Sequence, residues 1–149
     1  MTAPEKMTPK EHESAMSESL EALVPLMAGA TYFGPSALCV SDRGGESLTE
    51  AGREFAGVIY HLSVDAHRAA SDAVRYLNYT GDVYKKADKV VDRLAVCLLF
   101  SRALMDPDLP SSLSANEALI RIRKQAGKAY VTITGRTLHA LVGDITDGC

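Results

Sequence analysis

From Ser47 to Met105, apolar residues recur at steps of three and four along two back-to-back stretches, a period that only α-helices can bury on one face. In the first stretch the face is Phe55, Val58, Ile59, Leu62, Ala66, Ala69, Ala70, Ala73, Val74 and Leu77. Ser47 followed by Glu50 has the form of a capping box, in which the two side chains satisfy backbone donors left open at a helix start. Asn78 to Asp82, with Gly81, is a turn signal, and Asp82 is suited to cap a second helix with Val83, Ala87, Val90, Val91, Leu94 and Leu98 inside. So short a connection makes the pair antiparallel. The second helix begins amphipathic, with Lys85, Lys86, Asp88, Lys89, Asp92 and Arg93 outside, but Leu94 to Phe100 are all apolar. That run is too short for a bilayer, which takes about 20 apolar residues. It predicts a central helix covered by its neighbours on every side.

A chain of 149 residues fits one domain with a sizeable core. Residues 1–7 read as a flexible tail, and 8–149 as a single helical domain. Three cysteines, Cys39, Cys97 and Cys149, show no metal-type spacing and cannot all pair, which suits a reducing cytoplasm. No apolar stretch follows a basic start at the N-terminus, so no secretory signal is read there. The formal net charge of −3 hides a strong polarity. Residues 1–60 carry 4 basic and 9 acidic side chains, whereas 109–143 carry 5 basic and 1 acidic.

Thr8, Pro9 and Glu11 supply a cap, a first-turn proline and a capping-box acid. They open a helix with Leu20, Leu23, Val24 and Met27 on one side and Glu11, Glu13, Glu18 and Glu21 on the other. Pro25 should kink or end it. Thr31 to Phe33 and Ala37 to Val40 are short β-like runs among glycine and proline breakers. After a break at Pro107 and Pro110, Ser114 and Glu117 repeat the capping box. Ala118, Leu119, Ile122 and Ala126 then mark a short helix ending at Gly127. Ala129 to Ile133 reads as a strand, and Thr134 as the opening of a last helix through Leu138, Leu141 and Val142. The fold class is therefore mostly α, a compact bundle of about five helices with a small β element.

Leu48, Thr49, Gly52, Arg53 and Phe55 share their spacing with Val131, Thr132, Gly135, Arg136 and Leu138. The pattern resembles the junction in winged-helix regulators where the wing strand enters the next helix. The helix–turn–helix pair that such a family places upstream is interrupted here by Pro107 and Pro110, so no family is assigned.

The strongest candidate site is the late basic segment. Arg121, Lys124 and Lys128 fall on one helix face, with Arg123 beside them and Arg136 a little further on. Such a row neutralises phosphates or meets an acidic protein surface. The acidic face Glu11, Glu13, Glu18 and Glu21 is the complementary candidate, docking on a basic partner or on the basic row of a second copy. His61 and His67 are six residues apart and diverge on a helix, while His12 and His139 read as surface or half-buried positions. Ser63, Ser71 and Ser101 lie within helical patterns, and no nucleophile elbow occurs. No metal, cofactor or catalytic residue is expected. The expected function is that of a small non-enzymatic interaction protein, a regulator, inhibitor or accessory subunit of a larger machine, with a protein or nucleoprotein partner and no membrane. The alternatives are a nucleic-acid-binding regulator using residues 121–136, and an enzyme whose site residues are not adjacent in sequence.

Overall fold

The computed structural model describes the backbone of residues 3–33, 39–42, 45–48, 50–77, 79, 81–106 and 115–137, and the side chains of all but 29–33, 39–51, 115 and 116. Among the described residues are four long helices, against the five or so expected: α1 (Pro9–Phe33), α2 (Glu50–Tyr76), α3 (Gly81–Leu104) and α4 (Ala115–Thr134). Each packs on its predecessor, and α4 closes the ring against α1. A two-stranded antiparallel ribbon, β1 (Cys39–Asp42) and β2 (Gly45–Leu48), pairs Cys39 with Leu48 and Asp42 with Gly45 between α1 and α2.

Side-chain contacts fix the relative directions of α1, α3 and α4. Arg93 meets Gln125, Cys97 meets the Ile122 carbonyl and Arg121 lies over the Phe100 ring, so α3 and α4 run antiparallel. Lys86 of α3 donates from Nζ to Glu13 Oε2 at 3.1 Å and to the Ile133 carbonyl at 3.3 Å. One ammonium thus ties the start of α1 to the end of α4, where the helix dipole favours a cation. The ion pair is partly exposed and contributes at most about 1 kcal/mol. Lys86, expected on the outer face, is held at this junction instead.

The core sets large residues against small ones. Met16, Leu20, Leu23 and Met27 of α1 and Leu119, Ile122, Tyr130 and Ile133 of α4 are buried, while α2 contributes Ala56, Ala66, Ala70 and Ala73 beside Ile59. Alanine faces let neighbouring backbones approach, so the bulky side chains of α1 and α4 occupy the interior.

Several local expectations change. The Thr8 and Glu11 capping box forms as read, with Glu11 N–H donating to Thr8 Oγ1 at 3.2 Å and Thr8 N–H to Glu11 Oε1 at 3.3 Å. Within the segment read as a tail, Pro4–Lys6 make one 3-10 turn. Pro25 does not end α1, which continues to Phe33 and takes in the β-like run at Thr31. Proline removes one backbone donor, but the burial of Leu20, Leu23, Val24, Met27 and Ala28 on either side outweighs that loss. Ser47 lies in β2 and α2 starts at Glu50, so Ser47 is not the residue that precedes the helix. Most importantly, α4 runs through Gly127, and Ala129 to Ile133 are helical rather than a strand. Their burial explains this. Ile122, Ala126, Ala129, Tyr130 and Ile133 continue one face of period 3.6, and a strand would have turned alternate members outward. Thr134 ends this helix rather than opening another, and Gly135 follows at φ +70, its N–H donating to the Val131 carbonyl in a left-handed cap. Of the two echoing segments, the first passes from β2 into α2 and the second is the end of α4, so the strand-to-helix junction is present at the first and not at the second. Leu138, Leu141, Val142 and the breaker segment 107–114 lie outside the described residues.

Two substitutions test this description. At Gly57, inside α2, an added Cβ meets nothing within 4 Å. Gly57→Ala should therefore stabilise by roughly 0.5–1 kcal/mol, read as a melting temperature about 2–4 °C higher. At Gly135 a side chain is strained by the positive φ, so Gly135→Ala should lower stability by about 1 kcal/mol in the same measurement.

Candidate functional site

Because α4 buries Leu119, Ile122, Ala126, Ala129, Tyr130 and Ile133, its opposite face carries Ile120, Lys124, Lys128 and Val131, with Arg123 exposed at the edge between the two. These residues line a groove of about 600 Å³, with Val24 and Ala28 of α1 and Arg93 of α3 among its walls. Ile120 and Val131 are 45% and 41% exposed, unusual for side chains of their size. Gly127 presents no side chain to the groove, so the backbone itself forms part of the wall. Four cations, Arg93, Arg123, Lys124 and Lys128, thus border a concavity with aliphatic walls. Arg93 Nη1 donates to Gln125 Oε1 at 3.0 Å, which holds its guanidinium on the α4 side.

The basic row is therefore partly regrouped. Arg123, Lys124 and Lys128 gather as expected. Arg121 instead lies 5.3 Å from the centroid of the Phe100 ring, a cation–π contact outside the groove lining. Arg136 is exposed beyond the end of α4, its N–H donating to Thr134 Oγ1. Arg93, assigned from sequence to the outer face of α3, joins the site through the packing of α3 against α4. No local pattern could have placed it there. The acidic face of α1 divides as well. Glu11 is used in the cap and Glu13 in the pair with Lys86, while Glu18 and Glu21 are exposed.

A smaller cavity, about 200 Å³, lies between the start of α1 and the second half of α2, lined by Met7, His12, Ala15, Ser19, Asp65, Arg68, Ala69 and Asp72. His12 was expected at or near the surface, yet it is only 1% exposed, and its Nε2 meets no hydrogen-bond partner among the described residues. Packing of α2 over the first turns of α1 covers it. His61 is exposed against the Tyr60 ring, and His67 is half-buried. His139 lies outside the described residues. Among the described residues no three His, Cys, Asp or Glu side chains gather as metal ligands, and no helix is long and apolar enough to cross a membrane.

Cys97 is fully buried, its Sγ 3.7 Å from the Ile122 carbonyl. Burial pushes its thiol from the ordinary 9.0 up to about 12, against the smaller opposing effect of backbone hydrogen bonds at Cys97 and Ala126. A thiol held neutral in this way is a poor nucleophile.

Compared with protein-family models, curated proteins and solved structures, the chain matches none of them.

Cys97 should resist iodoacetamide in the native protein at pH 8 and react once the chain is denatured, as peptide mass analysis would show. Its raised folded pKa also has a definite sign. The stability it contributes is fully present below about pH 9 and is lost as pH rises towards about 12. Unfolding titrations across that window should show a fall with pH that is shallower in Cys97→Ala.

Proposed function

We propose that this is a small non-enzymatic interaction protein, a regulator, inhibitor or accessory subunit of a larger assembly, which docks an acidic amphipathic segment of a partner protein in the groove along α4. One observation carries the reading: Arg93, Arg123, Lys124 and Lys128 border a groove whose walls include Val24, Ala28, Ile120 and Val131. A surface meant only for phosphates gains little from exposed aliphatic side chains. A helix with an apolar stripe flanked by glutamates uses both parts, since its stripe covers the walls and its carboxylates meet the rim. The chemistry is that of recognition, in which aliphatic contact supplies affinity and charge supplies steering and register. The odd number of cysteines, with Cys97 buried and neutral, goes with a cytoplasmic setting.

The test uses a labelled helical peptide with leucines at i, i+4 and i+7 flanked by glutamates, with a generic DNA duplex as the alternative ligand. The peptide should bind with an affinity that falls with salt. Lys124→Glu should weaken it about tenfold, a change of ~1.4 kcal/mol, and Val131→Ser should weaken it without altering the salt dependence. Duplex binding with a steep salt slope, unaffected by Val131→Ser, would transfer the function to nucleic-acid recognition. Binding of neither at low salt overturns the proposal.

A further inference from the structure

The apolar run Leu94 to Phe100 is not covered on all sides, contrary to the expectation for so apolar a segment. Leu94 and Cys97 are buried and Leu98 and Phe100 are half-buried, but Ala95 is exposed and Leu99 is 66% exposed. Three helices of a four-helix ring cannot enclose the fourth, so one face of α3 points outward, and here that face is apolar at its centre. Val58, also exposed, lies at matching height on α2, because the two helices run antiparallel from the turn at Tyr79.

The outward stripe reads Asp92, Ala95, Leu99, Arg102, with steps of three, four and three that keep to one helix face. All four residues are exposed. Its charge order is self-complementary only when reversed. Two parallel copies would set Asp92 on Asp92 and Arg102 on Arg102. An antiparallel second copy, related by a two-fold axis at the height of Cys97, sets Ala95 against Leu99 twice at the centre and Asp92 against Arg102 twice at the ends. An isologous interface requires this reciprocity, in which residue i meets j and j meets i. The large Leu99 falls opposite the small Ala95, so the helices can approach closely. Further out, Asp88 would approach Asp106, with Lys89 adjacent, which limits the seam to roughly the 15 Å between Asp92 and Arg102.

We infer that this face of α3 is a homodimer interface, in which two copies pack antiparallel about Ala95 and Leu99 and are locked in register by reciprocal Asp92–Arg102 pairs. The site is separate from the α4 groove and does not rest on the function proposed for it. So short a seam makes a reversible dimer, one whose population follows protein concentration.

Sedimentation equilibrium of the full chain under reducing conditions, so that Cys39 and Cys149 do not cross-link copies, should show a monomer–dimer equilibrium. Leu99→Glu should leave monomer only. Asp92→Arg and Arg102→Asp should each weaken the dimer by about tenfold or more, because each substitution turns two attractive pairs repulsive. The double variant Asp92→Arg, Arg102→Asp restores both pairs and should recover the dimer. At a concentration where the parent is monomeric, circular dichroism melts of these surface variants should match the parent, which separates loss of the dimer from loss of the fold. A monomer at every concentration up to the solubility limit overturns the inference. So does a dimer indifferent to Leu99→Glu, or one that the double variant fails to restore.

Discussion

The burial of one continuous face of α4, from Leu119 and Ile122 through Ala126 and Ala129 to Tyr130 and Ile133, determines most of what this molecule presents to its surroundings. Those residues meet α1 and α3, so the helix cannot rotate without exposing a tyrosine and three large aliphatic side chains. At about 1.5–3 kcal/mol for each large side chain, that rotation is forbidden in a domain of ordinary stability. With its inner face held, the outer face follows. Lys124 and Lys128 point away from the core with Ile120 and Val131, and Arg123 lies exposed at the edge of that face. A helix broken at Gly127 would have separated Arg123 and Lys124 from Lys128 and Val131, and the groove would not exist.

The same constraint shapes the rest of the ring. Closure of α4 on α1 brings Glu13, Lys86 and the Ile133 carbonyl together, so the N-terminal capping box, the middle of the chain and the end of the last helix meet at one corner. It also leaves α3 with neighbours on two sides and only weak contact across the diagonal, so part of its apolar run is uncovered. The cation-bordered groove on α4 and the Ala95–Leu99 face of α3 are both surfaces that four helices leave over once their best faces are buried. They differ in chemistry. One pairs aliphatic walls with a single sign of charge; the other carries both signs in reciprocal order.

Much of the fold was legible where periodicity was long and uninterrupted. The faces of α1, α2 and α3 were readable because Leu20, Leu23 and Met27, or Ala66, Ala70 and Ala73, repeat over many turns, and local packing demands follow from that repeat alone. Reading failed at single residues whose local preference opposes the helix. Pro25 and Gly127 are each breakers in isolation, and Ala129 to Ile133 is rich enough in β-formers to mimic a strand. In the folded chain these preferences, worth about 1–3 kcal/mol each, are outweighed by the burial of the residues around them. The candidate site was half legible for the same reason. Arg123, Lys124 and Lys128 are neighbours on one helix, whereas Val24, Ala28 and Arg93 reach the groove from elements far away in sequence.

By itself, then, the order of residues determined which side of each helix is apolar, where the chain turns at Gly81, and that positive charge gathers late and negative charge early. Those are properties of spacing, and they hold whatever the helices pack against. Tertiary structure alone decided that Glu13 is spent on Lys86, that Arg121 lies over Phe100 outside the groove lining, that His12 is buried and that Leu99 is bare. Each of those outcomes depends on which helix lies alongside and at what height, and that is settled by long-range burial, a quantity no local stretch of sequence contains.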